Sequence, residues 1–96
     1  MGHLKRFDVA EYRGVAMVVV ESDLLPPDPA VVVIPLLPDY PAVRYLNPEI
    51  LHADRRFVLA TRLIGSVFRS RLRHTGSVAG HADEITRAMD VLTGGI

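Results

Sequence analysis

VAMVVVESDLLPPDPAVVVIPL, residues 15–36, holds two β-branched runs on either side of a proline-rich segment. β-Branched residues favour strands, and neither run, Val15–Glu21 nor Ala30–Leu36, alternates cleanly between apolar and polar residues. Both are therefore predicted to be central strands that are covered on both faces. Pro35 is expected to close the second strand or to lie at its edge, because proline cannot donate to a ladder.

The segment between the two runs is predicted to be a rigid surface loop. Pro26, Pro27 and Pro29 occupy three of four positions, which excludes a helix and a central strand there. Leu24 and Leu25 precede these prolines and either tuck under the turn or face a partner. The general preference of leucine for burial favours tucking.

The middle of the chain predicts further strands. A short strand is expected near Glu49–His52, and RRFVLATRLIGSVF (residues 55–68) alternates as one extended strand, with Phe57, Leu59 and Thr61 on one face. Gly65 indicates a bulge or bend in it.

A basic alternation follows in FRSRLRH, residues 68–74. If this segment is extended, Arg69, Arg71 and Arg73 line one side. One interpretation is a solvated strand edge whose arginines discourage aggregation; the other is a docking strip for an acidic partner. The clustering of arginine in a neutral protein favours the second slightly.

The C-terminal segment predicts the one helix of the chain. Ala82, Ile85, Met89 and Leu92 recur at helical spacing, and Gly94 is placed to end the helix in the left-handed conformation. The sequence therefore predicts a mainly β fold, a curved antiparallel sheet or small barrel with one C-terminal helix.

Composition narrows the class of protein. The 96 residues predict a single domain, 1–96, and 49% hydrophobic with 23% charged residues is typical of a globular chain. The formal net charge of +0 weighs against a dedicated nucleic-acid binder, and the absence of cysteine fits a cytoplasmic location. We expect no targeting segment and no membrane span, because the apolar run 30–38 is far shorter than the roughly 20 residues that a bilayer requires.

No catalytic residue, metal or cofactor is predicted. His3, His52, His74 and His81 lack metal-ligand spacing, and the chain contains neither a phosphate-binding loop nor a nucleophile elbow. The pair Thr61 and Arg62 is compatible with RNA cleavage, but this signal alone is weak.

Several stretches resemble one family. VVVESDLL (18–25), VVIPL (32–36), LATR (59–62) and a final helix that ends in Gly-Ile are similar to the CcdB family, the toxins of bacterial toxin–antitoxin pairs that poison DNA gyrase. The resemblance covers nearly the whole chain and is poorest over residues 37–55. It implies an SH3-like barrel of antiparallel strands with one C-terminal α-helix, and a homodimer built across the sheet and the helix ends. It also implies two partners, the gyrase A subunit and an antitoxin with an acidic, disordered tail.

The resemblance also implies two sets of binding residues. The gyrase-contacting positions are Ser22, Leu24, Leu25, Asp90, Gly94, Gly95 and Ile96, and the arginines that suit the antitoxin tail are Arg69, Arg71 and Arg73.

One position departs from the family pattern. The family tip is Trp-Gly-Ile, and Gly94 stands where the tryptophan is expected. An aromatic residue at a contact centre typically contributes about 2 kcal/mol or more. Its loss from both tips of a dimer would weaken affinity about a thousandfold.

The residues and the family resemblance are compatible with three alternative functions. The first is a non-enzymatic toxin that traps gyrase on cleaved DNA. The second is a degenerate relative that binds an antitoxin and poisons nothing, which the missing tryptophan supports. The third is an RNA-cleaving toxin of the same fold class acting through Thr61 or Arg62, because a shared fold does not fix function.

Overall fold

The computed structural model describes residues 3–95 and shows a curled antiparallel sheet with one C-terminal helix. The sheet order is β4-β5-β3-β2-β1-β7, and β6 pairs with β3 beside β5. This architecture confirms the predicted mainly β fold. The elements are β1 (Asp8–Tyr12), β2 (Val15–Val19), β3 (Ala30–Leu37), β4 (Glu49–His52), β5 (Arg55–Leu59), β6 (Gly65–Phe68), β7 (Arg73–Ser77) and α1 (Ala82–Thr93).

The two central strands are covered on both faces, as their composition predicts. Ile34 and Leu36 of β3 face the main core, against which Ile85 of α1 also packs. Val31 and Val33 point to the opposite face and form a second, smaller cluster with Val19. Each face of the sheet buries its own apolar layer here. Successive residues of β2 and β3 therefore have to be apolar, which the unbroken β-branched runs provide.

Pro35 lies inside β3, so its predicted place at the strand end or edge is wrong. Its C=O accepts the N–H of Ala60 at 3.0 Å, and the N and C=O of one strand residue face the same side. On that side β3 pairs with β6 as far as Val33 and with β5 from Leu36. Pro35 has no N–H to donate, but it lies between the part of β3 that pairs with β6 and the part that pairs with β5. The sheet therefore loses no ladder hydrogen bond at this position.

The predicted strand over residues 55–68 is broken into β5, a 3-10 turn at Thr61–Leu63, and β6. Thr61 is fully buried. Its N–H donates to Asn47 Oδ1 at 3.3 Å, and its hydroxyl donates to the Leu46 C=O at 2.5 Å. These bonds to the β3–β4 connection replace the strand ladder at this point.

Side chains bridge the two outer strands β4 and β7 where the sheet curls back on itself. The ring of His52 packs over Gly76, where an added Cβ would lie 2.9 Å from His52 Cε1. Nearby, His81 Nε2 accepts the N–H of Leu51 at 3.2 Å. The ring proton of His81 is thus on Nδ1, which donates to Glu84 at 2.6 Å. His81 thus accepts the backbone N–H of Leu51, a hydrogen-bond donor on the outer edge of β4. This contact protects that edge from pairing with a further strand.

Substitution of Gly76 by alanine is expected to destabilise the fold, because the new methyl group must displace the His52 ring. The clashing atom is the far end of the half-buried His52 side chain, which can swing aside, so the cost in the free energy of unfolding should lie at the low end of overpacking, about 1 kcal/mol, which urea denaturation measures. Gly80→Ala is the control, since nothing lies within 4 Å of its Cβ position. In a His52→Ala background the cost of Gly76→Ala should nearly vanish; an unchanged cost would show that the ring is not responsible.

No helix in the described part of the chain is long and apolar enough to cross a membrane.

Candidate binding surfaces

The proline loop, residues 22–29, exposes two leucines at its start. Ser22 forms a turn in which its C=O accepts the N–H of Leu25 at 3.2 Å and its hydroxyl oxygen accepts the N–H of Leu24 at 3.1 Å. Leu24 is 94% exposed and Leu25 is 54% exposed. The expectation that they tuck under the turn is wrong, because the turn bonds of Ser22 hold both side chains on its outer side.

The proline loop is braced at both ends. Asp23 Oδ1 accepts the N–H of Arg6 at 2.8 Å. Glu21 accepts the N–H of Val32 at 3.0 Å and a guanidinium N–H of Arg69 at 3.1 Å. Arg69 Nε also donates to the C=O of Asp28 at 2.8 Å, across the loop. A loop fixed in this way loses little conformational entropy when its exposed leucines are buried by a partner.

The three arginines do not line one side of an extended segment, so that expectation is wrong. Arg69–Arg71 form a 3-10 turn, because Arg69 reaches back to the proline loop. Arg73 pairs with Glu11 of the neighbouring strand at 2.7 Å, in an exposed position. Arg71 forms no ion pair within residues 3–95. Their predicted role in antitoxin binding stays a prediction.

An open groove of about 930 Å³ runs beside the proline loop. Its apolar lining comes from Leu4, Leu25, Phe68 and Leu72, and Ser22 and Arg69 also border it. Phe68 is 60% exposed. The sequence reasoning assigned no binding role to Phe68, although an aromatic residue beside three arginines is a signal for a contact surface.

The end of α1 forms a second surface. Gly94 is left-handed, with φ 72° and ψ 22°, as predicted for the residue that ends the helix. The N–H of Gly94 donates to Val91 C=O at 3.3 Å, and the N–H of Gly95 donates to Asp90 C=O at 2.9 Å. These two bonds form a Schellman motif. It brings Asp90, Gly94 and Gly95 together in an exposed tip, whereas Ile96 lies outside the described residues.

The predicted gyrase-contacting residues thus fall into two groups. Ser22, Leu24 and Leu25 belong to the proline loop, and Asp90 with Gly94 and Gly95 forms the helix tip. None of these three tip residues lines the groove beside the loop. Their binding roles stay predictions.

The candidate residues for chemistry are placed differently. Thr61 is fully buried and hydrogen-bonded, so its hydroxyl cannot touch an RNA substrate in this conformation. Arg62 beside it is exposed. Across residues 3–95, no group of three His, Cys, Asp or Glu side chains is placed to hold a metal ion.

The fold and these surfaces define a class, small mainly β proteins with a half-barrel sheet, a C-terminal helix and exposed contact loops. Residues 6–95 match the family model described as CcdB protein, and the chain belongs to the CcdB family. This confirms the resemblance drawn from the sequence and supports the role of toxin in a toxin–antitoxin pair. No curated protein matches the chain.

Proposed function

We propose that this chain is a cytoplasmic toxin that binds the A subunit of DNA gyrase as a homodimer and is neutralised by an antitoxin with an acidic tail. It acts by binding, without an enzymatic step of its own. The observation that carries the proposal is the family match over residues 6–95.

The proline loop supports the gyrase contact. Leu24 and Leu25 occupy positions that resemble the family contact loop, and both are exposed on a braced turn. A leucine that is 94% exposed contributes little to the fold of the chain itself. Its burial by a partner would remove apolar surface from water, and this is the main driving force of association.

The helix tip supports a weaker contact than the family pattern implies. Asp90, Gly94 and Gly95 are exposed at the end of α1. Gly94 supplies no side chain in place of the family tryptophan, so the tip depends on Asp90, on its backbone and on Ile96. The same observation favours one alternative, a relative that binds an antitoxin without poisoning gyrase. Burial of Thr61 counts against the RNA-cleaving alternative.

The test is a gyrase cleavage assay with the purified chain. Supercoiled plasmid and gyrase are incubated with the protein and then denatured, and linear DNA is scored. We expect linear DNA to accumulate with the natural chain and not with a chain that ends at Gly94, which lacks the last two residues of the tip. Antitoxin binding without linear DNA would support the non-poisoning relative, and growth arrest without linear DNA would indicate another target.

A further inference from the structure

Two arginines share one exposed aromatic ring between the β3–β4 connection and α1. The guanidinium carbon of Arg44 lies 4.8 Å from the centroid of the Tyr45 ring, and that of Arg87 on α1 lies 4.6 Å from the same centroid. Elsewhere in residues 3–95, each ring in such a contact holds a single arginine. The attraction of each cation to the ring offsets part of the repulsion between two like charges held close together.

A tight turn over residues 43–47 fixes the position of this ring. The N–H of Asn47 donates to the C=O of Val43 at 2.8 Å, and the N–H of Val43 donates to the C=O of Asn47 at 3.2 Å. Tyr45 has φ 68°, in the left-handed region that bulky side chains rarely adopt. Such strain persists only where the surrounding structure imposes it, and it is frequent at functional sites.

Neither of these guanidinium groups has an anionic partner within residues 3–95. Arg44 and Arg87 are exposed, and the ion pairs of the described residues include neither of them. Glu84 precedes Arg87 on α1 at a spacing that allows an ion pair, but Glu84 is engaged by His81 Nδ1 at 2.6 Å. Both guanidinium groups therefore keep their N–H donors available for a ligand.

A third arginine adds charge beside the same turn. Thr61 bonds to Leu46 and Asn47 of the turn, and Arg62 follows it in the chain. Arg62 is exposed and forms no ion pair with any described residue. Unpaired positive charge is thus concentrated around the turn, although the formal net charge of the chain is +0.

We propose that Arg44 and Arg87, with Arg62 beside them, form an arginine patch that binds backbone phosphate groups of the DNA held by gyrase. This inference rests on the proposed function, in which the chain acts on gyrase with cleaved DNA. Guanidinium groups bind phosphate oxygens through paired N–H donors, and an anion bound by both arginines removes their mutual repulsion. A ring that already holds two cations is a poor stacking platform for a base, so the contact is independent of DNA sequence.

The place of the arginine patch in the fold favours DNA as its ligand. Arg87 lies three residues before Asp90 on α1, on the same side of the helix. The patch therefore adjoins the helix tip that is proposed to contact gyrase, the enzyme that holds the DNA. The neutral net charge indicates that the patch adds to this protein contact and does not bind DNA strongly by itself.

The test uses a short DNA duplex as the probe. Titrated into the ¹⁵N-labelled full chain at low salt, it should shift the amide resonances of residues 43–47 and the side-chain Nε–H resonances of Arg44 and Arg87. Each phosphate contact contributes about −0.9 to the slope of log affinity against log salt, so two contacts weaken binding about tenfold between 50 and 200 mM salt.

Three outcomes of this titration would overturn the assignment. Shifts centred on the proline loop or on β7 would place the duplex elsewhere. Equal shifts with inorganic phosphate at the same ionic strength would indicate a site for small anions. Stronger shifts of the same resonances with a glutamate-rich peptide would indicate a site for an acidic protein.

A charge-matched pair of variants tests the arginine patch directly. Arg44→Gln combined with Arg87→Gln should weaken duplex binding at least tenfold at 50 mM salt and reduce the slope by about 2. Arg13→Gln combined with Arg55→Gln is the control, because it removes the same charge from two exposed arginines that each lie over a ring of their own. An equal loss in both double variants would show that net charge alone is responsible and would refute the proposal.

The gyrase cleavage assay separates this inference from the proposed function. If the natural chain traps cleaved DNA but the duplex leaves residues 43–47 unshifted, the assignment of the arginine patch fails and the function stands. If the duplex binds the patch but the natural chain traps no cleaved DNA, the assignment stands and gyrase poisoning fails.

Discussion

Replacement of both Leu24 and Leu25 by serine is expected to abolish trapping of gyrase at concentrations where the natural chain saturates it. Burial of one leucine side chain is worth about 1.5–3 kcal/mol. Two leucines in each proline loop therefore account for about 3 kcal/mol or more, which weakens affinity more than a hundredfold. The concentration of protein that gives half-maximal linear DNA in the cleavage assay measures this change.

The same double substitution should leave the fold intact. Leu24 is 94% exposed and Leu25 is 54% exposed, so the free energy of unfolding should change by about 0.5 kcal/mol or less. Leu51→Ser is the matched control, because Leu51 is 57% exposed and lies on β4, outside the proline loop. If Leu51→Ser impairs trapping as much as the loop variant, the loss would reflect general surface apolarity and not this loop.

The braces of the proline loop explain why two exposed leucines can matter so much. Asp23 fixes the loop to Arg6, and Arg69 ties Glu21 to the C=O of Asp28. The leucines are therefore presented in one arrangement before any partner arrives, and binding has little loop motion to suppress. Leucine side chains on a mobile loop would give a lower affinity for the same buried area, because binding would also have to order the loop.

The sequence predicts the features of this fold that depend on local patterns. The β-branched runs around residues 15–36 become the doubly covered strands β2 and β3, because a strand buried on both faces needs apolar residues at successive positions. The helical spacing from Ala82 to Leu92 becomes α1, and Gly94 ends it in the left-handed conformation. In each case the residues that determine the structure are neighbours in the chain.

The predictions that fail depend on partners far away in sequence. Thr61 leaves the expected strand because it bonds to Leu46 and Asn47, 15 and 14 residues away. Arg69 leaves the expected strip because it bonds to Asp28 and Glu21, 41 and 48 residues away. Alternation within residues 55–74 contains no information about these partners, so the pattern overstates the length of the strand.

The candidate site shows the same division. The sequence identifies the residues of the proline loop and the helix tip, since short motifs carry them. It does not show that Leu24 points outward, because burial depends on how the turn at Ser22 is oriented on the sheet.

Substitution of Gly94 by tryptophan is expected to increase affinity for gyrase about thousandfold over the natural chain, if both tips of a dimer contact the target. The substitution has two opposing effects. The ring adds about 2 kcal/mol or more of contact energy at each tip, and nothing lies within 4 Å of the Cβ position to obstruct it. Against this, φ is 72° at Gly94, and an L-residue in this region costs about 1–2 kcal/mol.

These two effects act on different equilibria and can be measured separately. The backbone cost lowers the free energy of unfolding and frays the Schellman motif, whereas the ring acts in the complex. Gly94→Ala carries the same backbone cost without a ring, so it should lose stability like Gly94→Trp and gain no affinity. The difference between the two variants in the cleavage assay is therefore the contribution of the ring. If both variants trap gyrase no better than the natural chain, the missing tryptophan does not limit this tip, and the proline loop must supply the contact.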